Sequence, residues 1–147
     1  MVSKVNIKKL NDKAVVPSYG SEFSAGADLY ACAEEPIVIE AGKTILVHTG
    51  IAMEIPEGLV GLIYARSGLA SKRGLAPANK VGVIDSDYRG EIMVALHNHG
   101  SLPQTVGHAE RIAQIVFTPY HSADFNLVDD LDSTTRGAGG FGSTGNK

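Results

Sequence analysis

Residues 79–90, NKVGVIDSDYRG, concentrate groups capable of chemistry: an apolar run breaks into two carboxylates, a tyrosine and a glycine. Val81, Val83 and Ile84 predict a strand, Asp85, Ser86 and Asp87 a turn, and residues 91–96 the returning arm of a β-hairpin. A carboxylate held by such a turn can activate a water or steady a metal-bound ligand. Asp and Ser also favour turns for backbone reasons alone, so this stretch by itself reads more simply as an Asx-rich turn.

Three other stretches carry comparable potential. In ARSGLASKRG, residues 65–74, Arg66 is a forked, bidentate phosphate ligand by geometry, and Ser67 and Gly68 offer hydroxyl and backbone donors at a helix start. The plain alternative is a capped surface turn. Asp28, in AGADLYA from Ala25, is an acid among small and apolar neighbours, suited to magnesium or to a local Asx turn. Gln114, in RIAQIVF from Arg111, is expected to face the same side of a strand as Ile112 and Val116. A buried amide there needs partners from backbone, a neighbouring chain or a water near a ligand.

The tail RGAGGFGSTG, from Arg136, literally satisfies G-x-G-x-x-G through Gly137, Gly139 and Gly142. The dinucleotide fingerprint, however, needs a preceding strand and a following helix, and only five residues follow Gly142. The phosphate-loop spacing of Gly140 and Gly145 fails because Asn146 stands where lysine is required. What survives is simpler physics. Consecutive backbone N–H groups wrap phosphate oxygens, Ser143 and Thr144 add hydroxyls, Arg136 adds a forked cation, and Phe141 offers a face to a nucleobase. By composition alone the segment is a disordered glycine tail. Among His48, His97, His99, His108 and His121, the pair His97 and His99 shares a strand face, but no third zinc ligand is evident.

The elements that must position these groups are short strands. Residues 4–10 alternate, and 15–25 reads as loop because Pro17, Gly20 and Ser24 break it. Residues 37–39 and 44–55 are rich in β-branched side chains, and 59–65 is nearly continuous in apolar residues, as in a strand covered on both faces. Strands are predicted again at 105–106 and 111–118, and the best helical segment is 67–72, with Ser67 as its cap. The pattern predicts an all-β, jelly-roll-like distorted barrel or sandwich with one short helix. One domain over residues 1–147 is expected, with a core over about 1–123 and, from 124, a mobile Gly-rich C-terminal arm too poor in apolar surface to order itself.

The totals narrow the function. With 13 basic and 16 acidic residues and a net charge of −3, no bulk field favours nucleic acid or an anionic membrane, so the site is local. The single cysteine, Cys32, excludes an intramolecular disulfide and a Cys-rich zinc site, and agrees with a reducing compartment. No apolar run has the length of a membrane span, and the N-terminal residues lack the core of a signal peptide. A soluble intracellular protein, in cytoplasm, nucleus or both, is expected.

Taken in order, AGADLYA, ARSGLA, GVIDSDYRG, RIAQIVF and RGAGGFGSTG resemble the five motifs of the trimeric dUTPases, the deoxyuridine triphosphate nucleotidohydrolases. The resemblance covers essentially the whole chain. It implies hydrolysis of dUTP to dUMP and pyrophosphate with Mg2+, which limits uracil incorporation into DNA and supplies dUMP for thymidylate synthesis. It also implies a homotrimer whose sites are shared between subunits.

Roles follow from the same resemblance. Asp85 is implied as the general base for the water attacking the α-phosphorus, and Tyr88 as the group that stacks on deoxyribose and excludes a 2′-hydroxyl. Asn79, with Gly82 and Met93, is implied in holding uracil, and Arg66, Ser67 and Gly68 in holding the α/β-phosphate bridge. Asp28 and Gln114 are implied in orienting waters on magnesium, with no direct protein ligand. The arm is implied to close with Phe141 on uracil and Arg136, Gly142, Ser143 and Thr144 on the phosphates, while Asp87 remains a turn residue. The competing expectations are a dCTP deaminase of the same fold and a non-catalytic β-trimer that binds or senses nucleotides. The tail and the VIDSDYRG stretch favour the hydrolase.

Overall fold

The computed structural model describes residues 3–141. In chain order its elements are β1 (Asn6–Lys9), β2 (Ser18–Tyr19), β3 (Ala27–Tyr30), β4 (Ile37–Ile39), β5 (Thr44–Glu54) and β6 (Leu59–Tyr64). Then come α1 (Ser67–Arg73), β7 (Leu75–Pro77), β8 (Gly82–Ile84), β9 (Glu91–Asn98), β10 (Gln104–Val106) and β11 (Arg111–Pro119). They form a four-stranded sheet β1-β5-β9-β7, a five-stranded sheet β2-β3-β11-β6-β8 and a two-stranded β10-β4 pair, antiparallel throughout. This is the all-β, jelly-roll-like arrangement with one short helix that the pattern predicts.

Packing follows alternation. In β9, Ile92, Val94, Leu96 and Asn98 point inward and their neighbours outward. The three apolar side chains are essentially fully buried, each worth roughly 1.5–3 kcal/mol of removal from water. They meet Leu29, Ile39, Ile51, Leu75, Ile112 and Ile115 in one core. Asn98 is the polar member, and its amide is fully used. Nδ2 donates to the carbonyls of Ile39 (2.9 Å) and Leu102 (2.8 Å), and Oδ1 accepts from the Gly100 N–H (2.9 Å). A buried amide satisfied in this way staples β9 to β4 without an orphan group.

Several sequence expectations need correction. β8 and β9 are not the two arms of a hairpin: β8 pairs with β6 in one sheet, and β9 with β5 and β7 in the other. Both edges of β9 are already occupied, and three-residue β8, with Val83 60% exposed, pairs at the edge beside β6. Residues 85–90 therefore cross from one sheet to the other. The segment 15–25 contains the two-residue strand β2, and β7 arises in a stretch with no predicted strand. The helix begins at Ser67, so the N-cap is Arg66 (φ −91°, ψ 128°), with no side-chain cap bond. Gly74 at φ 66° ends it in the left-handed conformation that glycine adopts without a Cβ penalty. After Pro119 the described chain has neither strand nor helix, and Phe125, Leu127 and Leu131 are exposed. No helix among the described residues is long and apolar enough to cross a membrane.

Candidate active site

Strand register assembles the first group of side chains. Ser18 stands opposite Asp28, Asp28 opposite Gln114, and Gln114 opposite Tyr64, so one row crosses four strands. Immediately after Tyr64 the chain turns into α1, and the extended Arg66 reaches back to the row. Its Nε donates to Asp28 Oδ1 at 2.7 Å, and Arg111 Nη1 donates to Asp28 Oδ2 at 3.3 Å. The Asp28 side chain is only 12% exposed, and a carboxylate so withdrawn from water needs such partners. One carboxylate against two guanidinium groups leaves the cluster with a net positive charge.

Gln114 is fixed from two sides. Its Nε2 donates to the Ala65 carbonyl at 2.9 Å, and its Oε1 lies over Gly26, where an added Cβ would sit 2.2 Å away. Gly26 is therefore the space that Gln114 occupies. Asp28, Arg66, Ser67, Gly68, Arg111 and Gln114 all line one cleft of about 610 Å3. Gly68 is the anomaly in its wall. It lies in a helix, where glycine costs about 1 kcal/mol relative to alanine, yet its φ is not left-handed and nothing lies within 4 Å of an added Cβ.

A second group forms around β7, β8 and β9. The Ala78 N–H donates to the Ala95 carbonyl at 2.7 Å, and the chain then turns through Asn79 and Lys80, the latter at φ 65°. Gly82 lies beside the Asn79 amide, whose Nδ2 is 3.4 Å from the place a Cβ would take. Met93 is half-buried on β9 opposite His48. The Tyr88 N–H closes a turn onto the Asp85 carbonyl at 3.2 Å, and its phenol donates to the Glu91 carbonyl at 3.0 Å. Asp85 is exposed in a separate cleft of about 800 Å3, with Asp87, Arg89 and Tyr120.

The two groups do not meet within one chain. β3 and β8 are three strand steps apart, roughly 14 Å at the usual inter-strand spacing. Ile84, just before Asp85, is paired with Gly61, at the far side of β6 from Tyr64. In the tail, Arg136 Nε donates to the Gly139 carbonyl at 2.8 Å, and Phe141 is fully exposed. Neither touches the cleft, and Gly142, Ser143 and Thr144 lie outside the described residues.

Arg111 and Tyr64 are among the cleft residues that carry no sequence assignment. Three positions from Gln114, Arg111 belongs by alternation on the opposite face of β11. A register shift between Arg111 and Ala113 brings it round to Asp28. The same irregularity corrects the expected face of Gln114: Val116 shares its cleft, whereas Ile112 joins Ala113 in the core. Tyr64 has a signal in hindsight, as the last strand residue before ARSGLA.

His97 and His99 do meet, with ring centroids 4.3 Å apart edge to face, and His97 Nδ1 lies 2.8 Å from Thr44 Oγ1. Desolvation, then the neighbouring charges of His97 and Lys80, hold His99 below the usual imidazole range. Among the described residues no three His, Cys, Asp or Glu side chains gather as a metal cage.

Known proteins share this architecture and this sequence. The family model dUTPase matches residues 12–145. A deoxyuridine 5'-triphosphate nucleotidohydrolase of Desulfitobacterium hafniense (strain DSM 10664 / DCB-2) is 54% identical over 136 residues, covering 91% of this chain and 90% of that protein. The enzyme of the same name from Hahella chejuensis is 45% identical over 148 aligned positions, covering 100% and 97%. Among solved structures, the Staphylococcus bacteriophage 80alpha dUTPase with dUPNHPP superposes with a TM-score of 0.84 at 27% identity, covering 98% of this chain and 99% of that one. With the family model spanning nearly its whole length and relatives this similar end to end, the chain belongs to the dUTPase family.

Proposed function

We propose that the chain is a dUTP diphosphatase, hydrolysing dUTP to dUMP and pyrophosphate and so limiting uracil incorporation into DNA while supplying dUMP for thymidylate synthesis. The observation that carries this reading is the single cleft in which Arg66, Ser67 and Gly68 join Asp28, Arg111 and Gln114. A net positive pocket walled by a helix start and a rigid sheet row suits a polyphosphate. Gly68 fits the same reading. Nothing in the chain excludes a Cβ there, so its glycine makes sense if a phosphate oxygen approaches the backbone.

Asp85 acts as general base, taking a proton from the water that attacks the α-phosphorus in line with the pyrophosphate leaving group. Asn79 holds uracil together with backbone groups at Gly82 and Met93, and Tyr88 stands against the deoxyribose, where a 2′-hydroxyl meets its ring. Arg66, Ser67 and Gly68 hold the bridge between the α- and β-phosphates. A base must lie within hydrogen-bond reach of its water, and Asp85 is strands away from the Arg66 cleft of its own chain. This separation supports a homotrimer in which one subunit supplies the nucleoside slot and another the phosphate cleft. One catalytic domain with a mobile arm from 124 completes the site. The arm closes with Phe141 on uracil and with Arg136, Gly142, Ser143 and Thr144 on the phosphates, which expels bulk water.

The residues present suit Mg2+ held through water. Both Asp28 oxygens are engaged by arginines and the Gln114 amide is tied to Ala65. Asp28 and Gln114 would hold the ion through its hydration waters, with no direct protein ligand. When bound, the ion supplies charge neutralisation on the phosphates.

The test is pyrophosphate release measured across a panel of nucleoside triphosphates. Release from dUTP far above that from dCTP, dTTP and UTP is expected. Ammonia released from dCTP, or binding of dUTP without turnover, would overturn the reading.

A further inference from the structure

The glycine that follows Tyr88 and Arg89 has no conformational reason to be glycine. The backbone at Gly90 lies outside the left-handed region, and the residue is half-buried. What excludes a side chain there is the phenol ring of Tyr88. A Cβ on Gly90 would stand 2.4 Å from Tyr88 Oη, 2.5 Å from Cζ and 2.9 Å from Cε2. The hydroxyl end of the ring is folded back over the backbone of its own segment.

That posture is held at several points. The Tyr88 hydroxyl donates to the Glu91 carbonyl at 3.0 Å. Arg89 Nη1 braces the turn by donating to the carbonyls of Ser86 (2.6 Å) and Tyr88 (3.1 Å). The accepting carbonyl sits on a clamped strand end. The Glu91 carboxylate takes the Gly50 N–H on Oε1 at 2.8 Å and lies 2.8 Å from His48 Nδ1 through Oε2. It thereby ties β9 to the irregularity in β5 between His48 and Ala52. The chain therefore fixes the ring at its hydroxyl end.

We infer that Gly90 is a specificity-determining residue, because its missing Cβ and the Glu91 carbonyl together seat the Tyr88 ring as the wall that rejects a ribonucleotide. The inference rests on the reading of Tyr88 as the residue against the sugar. A wall excludes a hydroxyl only while it stays in place. A methyl group at residue 90 forces the ring about 1 Å outward to reach ordinary contact at 3.4 Å, which breaks the bond to Glu91 and lets the ring swing.

The experiment compares kcat/KM for dUTP and UTP in the wild type, Gly90→Ala, Tyr88→Phe, Tyr88→Ala and the double variant Gly90→Ala/Tyr88→Ala. Gly90→Ala is expected to lower the dUTP/UTP ratio about tenfold, chiefly through a lower KM for UTP, and Tyr88→Phe about threefold, since a displaced steric wall is worth such factors. In the Tyr88→Ala background, adding Gly90→Ala should change the ratio by less than about twofold, because the two act through one ring. A wild-type ratio in Gly90→Ala, with Tyr88→Ala relaxed, would overturn the inference and leave the sugar role of Tyr88 standing. An unchanged ratio in Tyr88→Ala itself would overturn that role and the inference with it. Should Gly90→Ala fail to fold, Tyr88→Phe decides: a wild-type ratio there overturns the seating of the ring, and a relaxed one upholds it.

Discussion

The cleft around Asp28 and the crossover around Asp85 place charge in opposite ways. In the cleft, sheet register sets the carboxylate beside its partners, and both oxygens are already spoken for by Arg66 and Arg111. In the crossover, a turn closed by the Tyr88 N–H carries Asp85 out to solvent, away from that cluster. A charge compensated inside the fold is bound up with stability, whereas a charge left exposed contributes little to folding and stays free to react. The comparison teaches that the two acids, though both named by motifs, should fail differently when removed.

The sharpest break is Asp85→Asn. Loss of a general base costs turnover roughly a hundredfold or more, while dUTP affinity should stay within about tenfold and the melting temperature should hardly move. Single-turnover kinetics and equilibrium binding on the same preparation check this. Near-normal turnover would remove Asp85 from its role and erase the contrast.

Asp28→Asn should show the other behaviour. Replacing the carboxylate leaves two guanidinium groups facing each other without their common partner, at a cost of about 1–3 kcal/mol for charge-assisted hydrogen bonds. The melting temperature should therefore fall by several degrees, and KM for dUTP should rise, with kcat less affected than in Asp85→Asn. Thermal unfolding alongside steady-state kinetics measures both. A variant with unchanged stability would mean that the two arginines find other partners, and the cleft would no longer differ in kind from the crossover.

Much of this was legible in the sequence, for identifiable reasons. Alternation in β9 and the turn glycines mark strands because burial has a period of two, and that period survives in the residue types. The motif order marks the family. What alternation does not encode is partner choice. Nothing in GVI says that β8 pairs with β6, since that outcome depends on β5 and β7 having already filled the edges of β9. Arg111 escaped for a related reason, because the irregularity before Ala113 rotates it onto the Asp28 face against the expected phase. Likewise, five motifs on one chain give no sign that two of the groups they define lie strands apart. Distance across a sheet is a property of topology, whatever the spacing in sequence.

The smallest expected effect comes from the rim of the second region. Beside the Asn79 turn, positive or proton-accepting groups collect: Lys80, His97 and His99. His99 is held below the usual imidazole range by desolvation, then by His97 and Lys80. The sign of the linkage follows. Above about pH 6.5 the imidazole is neutral in both folded and unfolded chains and contributes no pH dependence. As pH falls below that value the unfolded chain takes up a proton that the folded chain resists, so stability declines until the lower folded value is passed. His99→Gln should therefore flatten the fall in melting temperature as pH drops below about 6.5, leaving stability near pH 8 little altered. Identical pH profiles for the two proteins would show that desolvation and the neighbouring charges at this turn carry no energetic weight, in contrast to the Asp28 cleft.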